Sequence, residues 1–232
     1  MKNKVRKTLL IIGGICTTIA VCLFFGFFGG DDGLLVNQIV GIVAIVSGLG
    51  SLLVGVSSIF STSLDNVREY FATGDTPEMS NSRFVLYNYR YIKIKYGKTI
   101  YDKDFDEWAS TISQTDPAIL PTNKAKICEA ADIQLNFFQM WGLLQSKGFL
   151  PMWVFETASG YSILKLGEAT MDIIKEHART NPFYAGQFVE LCKRIAKANK
   201  KAIKLCRENE EKYILKTFGV SNPWEGKDFI IE

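Results

Sequence analysis

His177 is the only histidine in the 232-residue chain. A single imidazole rules out sites built on several and leaves a Cys–His pair or a lone base as catalytic options. It stands in KEHART, among charges, where a solvated helix position is the natural reading. The five cysteines are Cys16, Cys22, Cys128, Cys192 and Cys206. None forms a CxxC pair, so zinc is not implied, and in a reducing compartment the last three read as small apolar side chains. Asp104 and Asp106 fall where a helix should begin, and there they offset the macrodipole better than they serve as an acid and a base. GLGSLLVG, residues 48–55, has the glycines of a phosphate loop but no lysine, and it lies inside an apolar run. The expectation is therefore a protein without metal or cofactor, and no constellation supports an enzyme.

Charge points to a different kind of chemistry. From Thr8 to Gly30 and from Gly33 to Phe60 there is no Asp, Glu, Lys or Arg. Each stretch exceeds the roughly 20 residues that a helix needs to cross about 30 Å of hydrocarbon. The predicted fold is thus an all-α membrane protein: a transmembrane hairpin over residues 1–62, with spans at about 8–28 and 34–60, and a cytoplasmic helical bundle over 63–232. Lys2, Lys4, Arg6 and Lys7 precede the first span, whereas the turn between the spans carries Asp31 and Asp32. The positive-inside tendency puts both termini in the cytoplasm of a bacterial inner membrane. A cleaved signal peptide is the competing reading of residues 1–28, but its apolar region should be about 7–15 residues long. The run here is longer, and bulky Val21 precedes Cys22 in the one segment, TIAVC, that resembles a lipoprotein cleavage site.

The second span has an ordered face. Asn37, Gly41, Ala44, Gly48, Ser51, Gly55, Ser58 and Thr62 follow one another at alternating intervals of four and three. That spacing averages roughly 3.5, the repeat of a left-handed helix crossing. In lipid, small residues allow backbones to approach closely where no hydrophobic force brings them together. Three uses remain open: packing on span one through Gly13, Thr17 and Ala20, packing on another copy of the chain, or lining water in an assembly. With no charge on the stripe, a selective channel is disfavoured.

The remaining residues read as helices. SLDNVREYFATG extends the second span to a stop at Gly74, and Asp75-Thr76-Pro77-Glu78 opens the next helix with a cap, an early proline and an acid. Further helices are expected over Asp102–Gln114, over Lys124–Ser146 up to Gly148, and from Pro151 with an interruption at Gly160 or Gly167. Asn181-Pro182 signals another start, leading into one helix that reaches about Lys216. TFGVSNPWEGKDFIIE then carries turn signals and an apolar tip. Between Leu191 and Arg207 lie Lys193, Arg194, Lys197, Lys200, Lys201, Lys204 and Arg207 with no acid. Such a face suits a phosphate backbone or anionic lipid, or it is a solvated face paired through Lys204 with Glu208 and Arg207 with Glu211. No aromatic interleaves it, so base stacking is not indicated.

Residues of roughly 80–200 resemble a family of membrane-tethered helical bacterial domains of unknown function. The carriers are the amphipathic AADIQLNFFQMWGLL ending in Lys147-Gly148, the short helix after Pro151, the helix ending at Arg179, and Tyr184 and Phe188 leading a long helix. Where that pattern has a tryptophan before Arg179, this chain has Met171 or Ile174. In layout the chain is also similar to two-span membrane effectors of bacterial anti-phage systems, including those attached to retrons. That resemblance implies a homo-oligomer in the lipid bilayer, restrained by a cytoplasmic protein or nucleoprotein regulator, whose release damages the membrane. The alternative is a non-toxic membrane-anchored adaptor.

Overall fold

The computed structural model describes residues 34–157 and 160–220. The expected first span, the outer turn with Asp31 and Asp32, and the stretch from Ser221 onward lie outside the described residues, as do the side chains of Asn37, Ala44 and Ser58. The described residues are helical, with no strand: α1 (Leu34–Gly74), α2 (Pro77–Tyr96), α3 (Phe105–Thr115), α4 (Lys124–Ser146), α5 (Trp153–Thr157), α6 (Gly160–Ala178), α7 (Gly186–Ala198) and α8 (Lys200–Phe218). The fold is an all-α bundle.

Local signals place most boundaries. α1 runs 41 residues to Gly74, carrying the charge-free segment on through SLDNVREYFATG as one helix. Among the described residues no helix is long and apolar enough to cross a membrane. Thr76 then caps α2, its Oγ1 accepting from the Met79 N–H at 3.3 Å, with Pro77 in the first turn. Pro77 fits there because the first-turn N–H it lacks would have no helical acceptor. α4 starts where Asp106 Oδ1 accepts the Lys124 N–H at 2.6 Å and Asn123 Oδ1 that of Lys126 at 2.9 Å. Asp106 therefore caps a neighbouring helix, while Asp104 holds Lys98 Nζ at 2.8 Å.

Two boundaries differ from those the sequence predicts. The start signal at Asn181-Pro182 leads into a turn, and α7 begins at Gly186, after Ala185 in the left-handed region (φ 53°). The single long helix expected to Lys216 is broken at Asn199 (φ −126°, ψ 37°), which separates α7 from α8. No proline or glycine stands there, so the break has no local signature. Beyond it, α8 brings Arg207 to Glu168 and Glu210 to Arg90.

The chain divides near Asn66. One compact unit runs to Asn66 and takes in Lys147–Phe149; the other comprises Val67–Ser146 and the chain from Leu150 onward. Within the first, Asn66 Nδ2 donates to the Phe149 carbonyl at 3.0 Å. The larger unit holds the core, in which Trp141, Tyr89, Phe105, Phe155, Phe188, Leu86 and Ile92 are fully buried. Each such side chain contributes roughly 1.5–3 kcal/mol by leaving water. Tyr70, on the last turns of α1, is edge-on to Trp141 and Phe155, with ring centroids 5.5 and 5.2 Å away. α4 and α7 meet at Gly142, where a Cβ would stand 2.8 Å from the Gln187 carbonyl oxygen.

Candidate functional site

The polar centre of the larger unit is Arg90, on α2, whose side chain is only 2% exposed. Burying a guanidinium costs several kcal/mol unless every donor is met by opposite charge. Two carboxylates meet it. Arg90 Nε donates to Glu168 Oε2 on α6 at 2.8 Å, and Nη1 and Nη2 donate to Glu210 Oε1 and Oε2 on α8 at 3.1 and 2.9 Å. Arg207 Nη2 donates to Glu168 Oε1 at 3.1 Å. Tyr161 donates its hydroxyl to Glu210 Oε2 at 2.6 Å, and Lys165 Nζ lies 3.6 Å from Oε1. Burial opposes the charge on Glu210, but Arg90, Tyr161 and Lys165 together outweigh it, so the carboxyl is held below its ordinary 4.5. Burial, and then the bond to Glu210, push the Tyr161 hydroxyl far up.

One turn along α2, Lys93 Nζ donates to the Glu168 and Ala169 carbonyls at 2.9 and 2.6 Å and to Asp172 Oδ1 at 2.9 Å. Tyr89 donates its hydroxyl to Asp172 Oδ2 and accepts from the Ile100 N–H at 3.2 Å. Burial drives the Lys93 pKa down despite Asp172. These groups hold one another through opposite charge. The arrangement fixes α2, α6 and α8 to one another by charge.

An open cleft lies beside this lattice. Tyr70, Phe71, Phe84, Tyr87, Phe137 and Arg83 are among the residues lining it, and its volume is about 430 Å³. Phe84 is 62% exposed at its edge. Arg83 is anchored by donating from Nη2 to the Gly74 carbonyl at 2.7 Å and from Nε to the Met79 carbonyl at 3.1 Å. Asp75, Ser80 and Ser162 also line it, so the cleft pairs an aromatic wall with polar groups.

The residues singled out from the sequence fall as follows. His177 stacks on Tyr184, with ring centroids 4.5 Å apart. Cys192 is buried, Cys128 half-buried and Cys206 exposed. Burial pushes the Cys192 thiol well up, leaving it inert. Among the described residues no cluster of His, Cys, Asp and Glu could hold a metal ion. On the stripe, Gly48, Ser51, Gly55 and Thr62 are exposed and Gly41 half-exposed. A Cβ at Gly48 or Gly55 would meet nothing within 4 Å.

The seven basic residues separate by type. Lys193, Lys197, Lys200, Lys201 and Lys204 are exposed, and Lys204 forms an i,i+4 pair with Glu208 at 3.9 Å. Arg194 turns inward to Gln145, and Arg207 to Glu168. The break at Asn199 means that Lys193 and Lys197 stand on a different helix from Lys200 and Lys204, so the face is not one continuous stripe. In the sequence Glu210 sits in the charged run RENEEK, whereas Arg90 stands between tyrosines in NYRYI and Glu168 in LGEATM, and nothing local pairs the three. No protein-family model, curated protein or solved structure matches this chain.

Proposed function

We propose that the chain is a two-span inner-membrane effector of a bacterial anti-phage system, restrained by a cytoplasmic regulator and acting by oligomerising and disrupting the bilayer. The observation that carries this reading is α1. One helix contains the charge-free segment and its small-residue face and continues into turns that bury Tyr70 in the bundle core. Gly48, Ser51 and Gly55 are exposed among the described residues, as an interface between copies requires. The basic N-terminus, the acidic turn and the layout resemblance support the same reading, in which the charge-free stretches anchor the chain in the bilayer and both termini are cytoplasmic. Inducing the full chain alone and following membrane potential with a dye tests it. Depolarisation is the expected result, and an intact potential at high expression with any regulator removed overturns it.

A second reading is favoured by the cleft, whose exposed Phe84 and aromatic wall beside Arg83 and Asp75 suit an amphipathic segment of another protein. In that reading the chain is a non-toxic anchored adaptor. Phe84→Asp separates the two: it abolishes partner recruitment if the chain is an adaptor and leaves depolarisation unchanged if it is an effector. The exposed lysines are proposed to contact anionic headgroups or a nucleoprotein regulator.

A further inference from the structure

The Arg90–Glu210 lattice and the break at Asn199 belong together. α7 descends along α6, from Tyr184 beside His177 to Ile195 packed near Gly160. Asn199 Nδ2 then donates to the Glu156 carbonyl at 3.2 Å, and α8 turns back to bring Arg207 and Glu210 to Glu168 and Arg90. Locally, the bend is poorly supported. Asn199 makes no side-chain cap on α8, which opens with Lys200 and Lys201 and has no acid in its first turn. Two cations at the positive end of a helix dipole are unfavourable, and first-turn N–H groups without a cap must rely on water. In an unbroken helix from Gly186 to Phe218 neither cost arises, since the same lysines become mid-helix residues and the same N–H groups meet carbonyls of α7.

What α8 gains from bending is therefore its docking site: the cations Arg90 and Lys165 and the Tyr161 hydroxyl for Glu210, the Glu168 carboxylate for Arg207, and burial of Ile203 and Ile214. Every partner of Glu210 and Arg207 named here sits on α2 or α6. A second copy of the chain presents an identical docking site. We propose that α8 is an exchangeable element: Asn199 straightens, α7 and α8 join into one helix, and each copy's α8 docks on the α2–α6 face of the other. The bonds that Glu210 and Arg207 make to α2 and α6 reform between chains, so the exchange costs little beyond association and the Asn199–Glu156 bond, as in domain swapping generally. The partner is a second copy, whose α8 carries the same Glu210 and Arg207 at the same spacing. The proposal deepens the self-association part of the reading above and does not depend on the small-residue stripe.

Charge reversal in trans tests it, using full chains carrying different tags, co-expressed and purified in detergent. Arg90→Glu faces its own Glu210, and Glu210→Arg faces its own Arg90, so each variant repels its own α8. Together in an exchanged heterodimer, one docking site regains the native Arg90–Glu210 pair, and the other holds the same pair with its two charges interchanged. The expected result is co-purification of the two variants at least five-fold above that of either with the wild-type chain. Co-purification no greater than with wild type overturns the proposal. Should either variant aggregate, Asn199→Ala in the otherwise wild-type chain decides. It removes the bond to Glu156 and favours continuous helix, and the dimer fraction on sizing should rise several-fold, whereas an unchanged fraction overturns the proposal. Running both measurements with Gly48→Leu and Gly55→Leu also in place distinguishes the interfaces. Loss of all association there while wild-type glycines permit it assigns self-association to the stripe and overturns exchange; persistence of the heterodimer supports exchange and sinks the stripe as the sole interface.

Discussion

Arg90 and Glu210 face each other through two parallel hydrogen bonds, 3.1 and 2.9 Å long, although 120 residues separate them in the chain. Such a fork is directional as well as attractive. Removing the guanidinium while keeping its bulk, as in Arg90→Met, leaves Glu168 and Glu210 buried against each other. Breaking a buried pair in this way costs about 3–5 kcal/mol. Denaturant unfolding of the larger unit should show that loss, and Arg90→Lys should recover only part of it because a lysine cannot make the fork.

Acid should loosen the same lattice. Glu210 has a folded-state pKa below its ordinary 4.5, with burial outweighed by Arg90, Tyr161 and Lys165 together. A depressed carboxyl stabilises fully above the unfolded value and loses that contribution as pH falls through the folded one. Asp116 behaves alike, held at about 2 by Lys95 and then Tyr96, against an ordinary 3.8. Amide protection in residues 200–218, taken relative to the intrinsic exchange rate at each pH, should therefore fall as pH drops below 4.5, and the Glu210→Gln variant should lack that fall. The loop at Asp116 should follow only between pH 3.8 and about 2.

Gly142→Ala tests the approach of α4 to α7. The added methyl would stand 2.8 Å from the Gln187 carbonyl oxygen and 3.5 Å from Leu191 Cβ. Backbone must shift to admit it, so a loss of about 1–3 kcal/mol is expected in thermal or denaturant unfolding.

Thiol labelling resolved by residue should rank the described cysteines. Cys206 should react first and Cys192 only on unfolding, since one is exposed and the other buried with its thiol pKa pushed well up. Reaction of Cys192 in the folded chain would contradict the packing of α7.

Lys193→Ala and Lys204→Ala combined should leave unfolding stability within about 0.5 kcal/mol, because exposed side chains inside a helix contribute little and the Lys204–Glu208 pair is a surface one. Any loss of vesicle or regulator binding by this variant then reports on the surface itself.

Helix starts and stops were legible where the cause is local. Thr76, Pro77 and Glu78 sit beside the N–H groups they serve, and the stop at Gly74 and the span Lys124–Ser146 follow from composition and period. The lattice was not legible, because Arg90, Glu168 and Glu210 become partners only once three helices are packed, and in the sequence nothing local pairs them. The bend at Asn199 was missed for the same reason. The pairing of Lys204 with Glu208 was legible, being one helical turn, whereas the bond from Arg207 to Glu168 spans 39 residues. The cleft, assembled from α1, α2, α4 and α6, has no counterpart in any one segment.

Tyr70 gives α1 a second role, with a practical consequence for dissection. Its ring fills a slot between Phe137, Trp141 and Phe155, so the helical domain begins inside α1. A fragment starting at Pro77 would present an aromatic-lined hole to solvent and should aggregate, while one starting at Val67 keeps the plug. Trimming the chain to obtain a soluble domain thus has a lower limit set by one tyrosine.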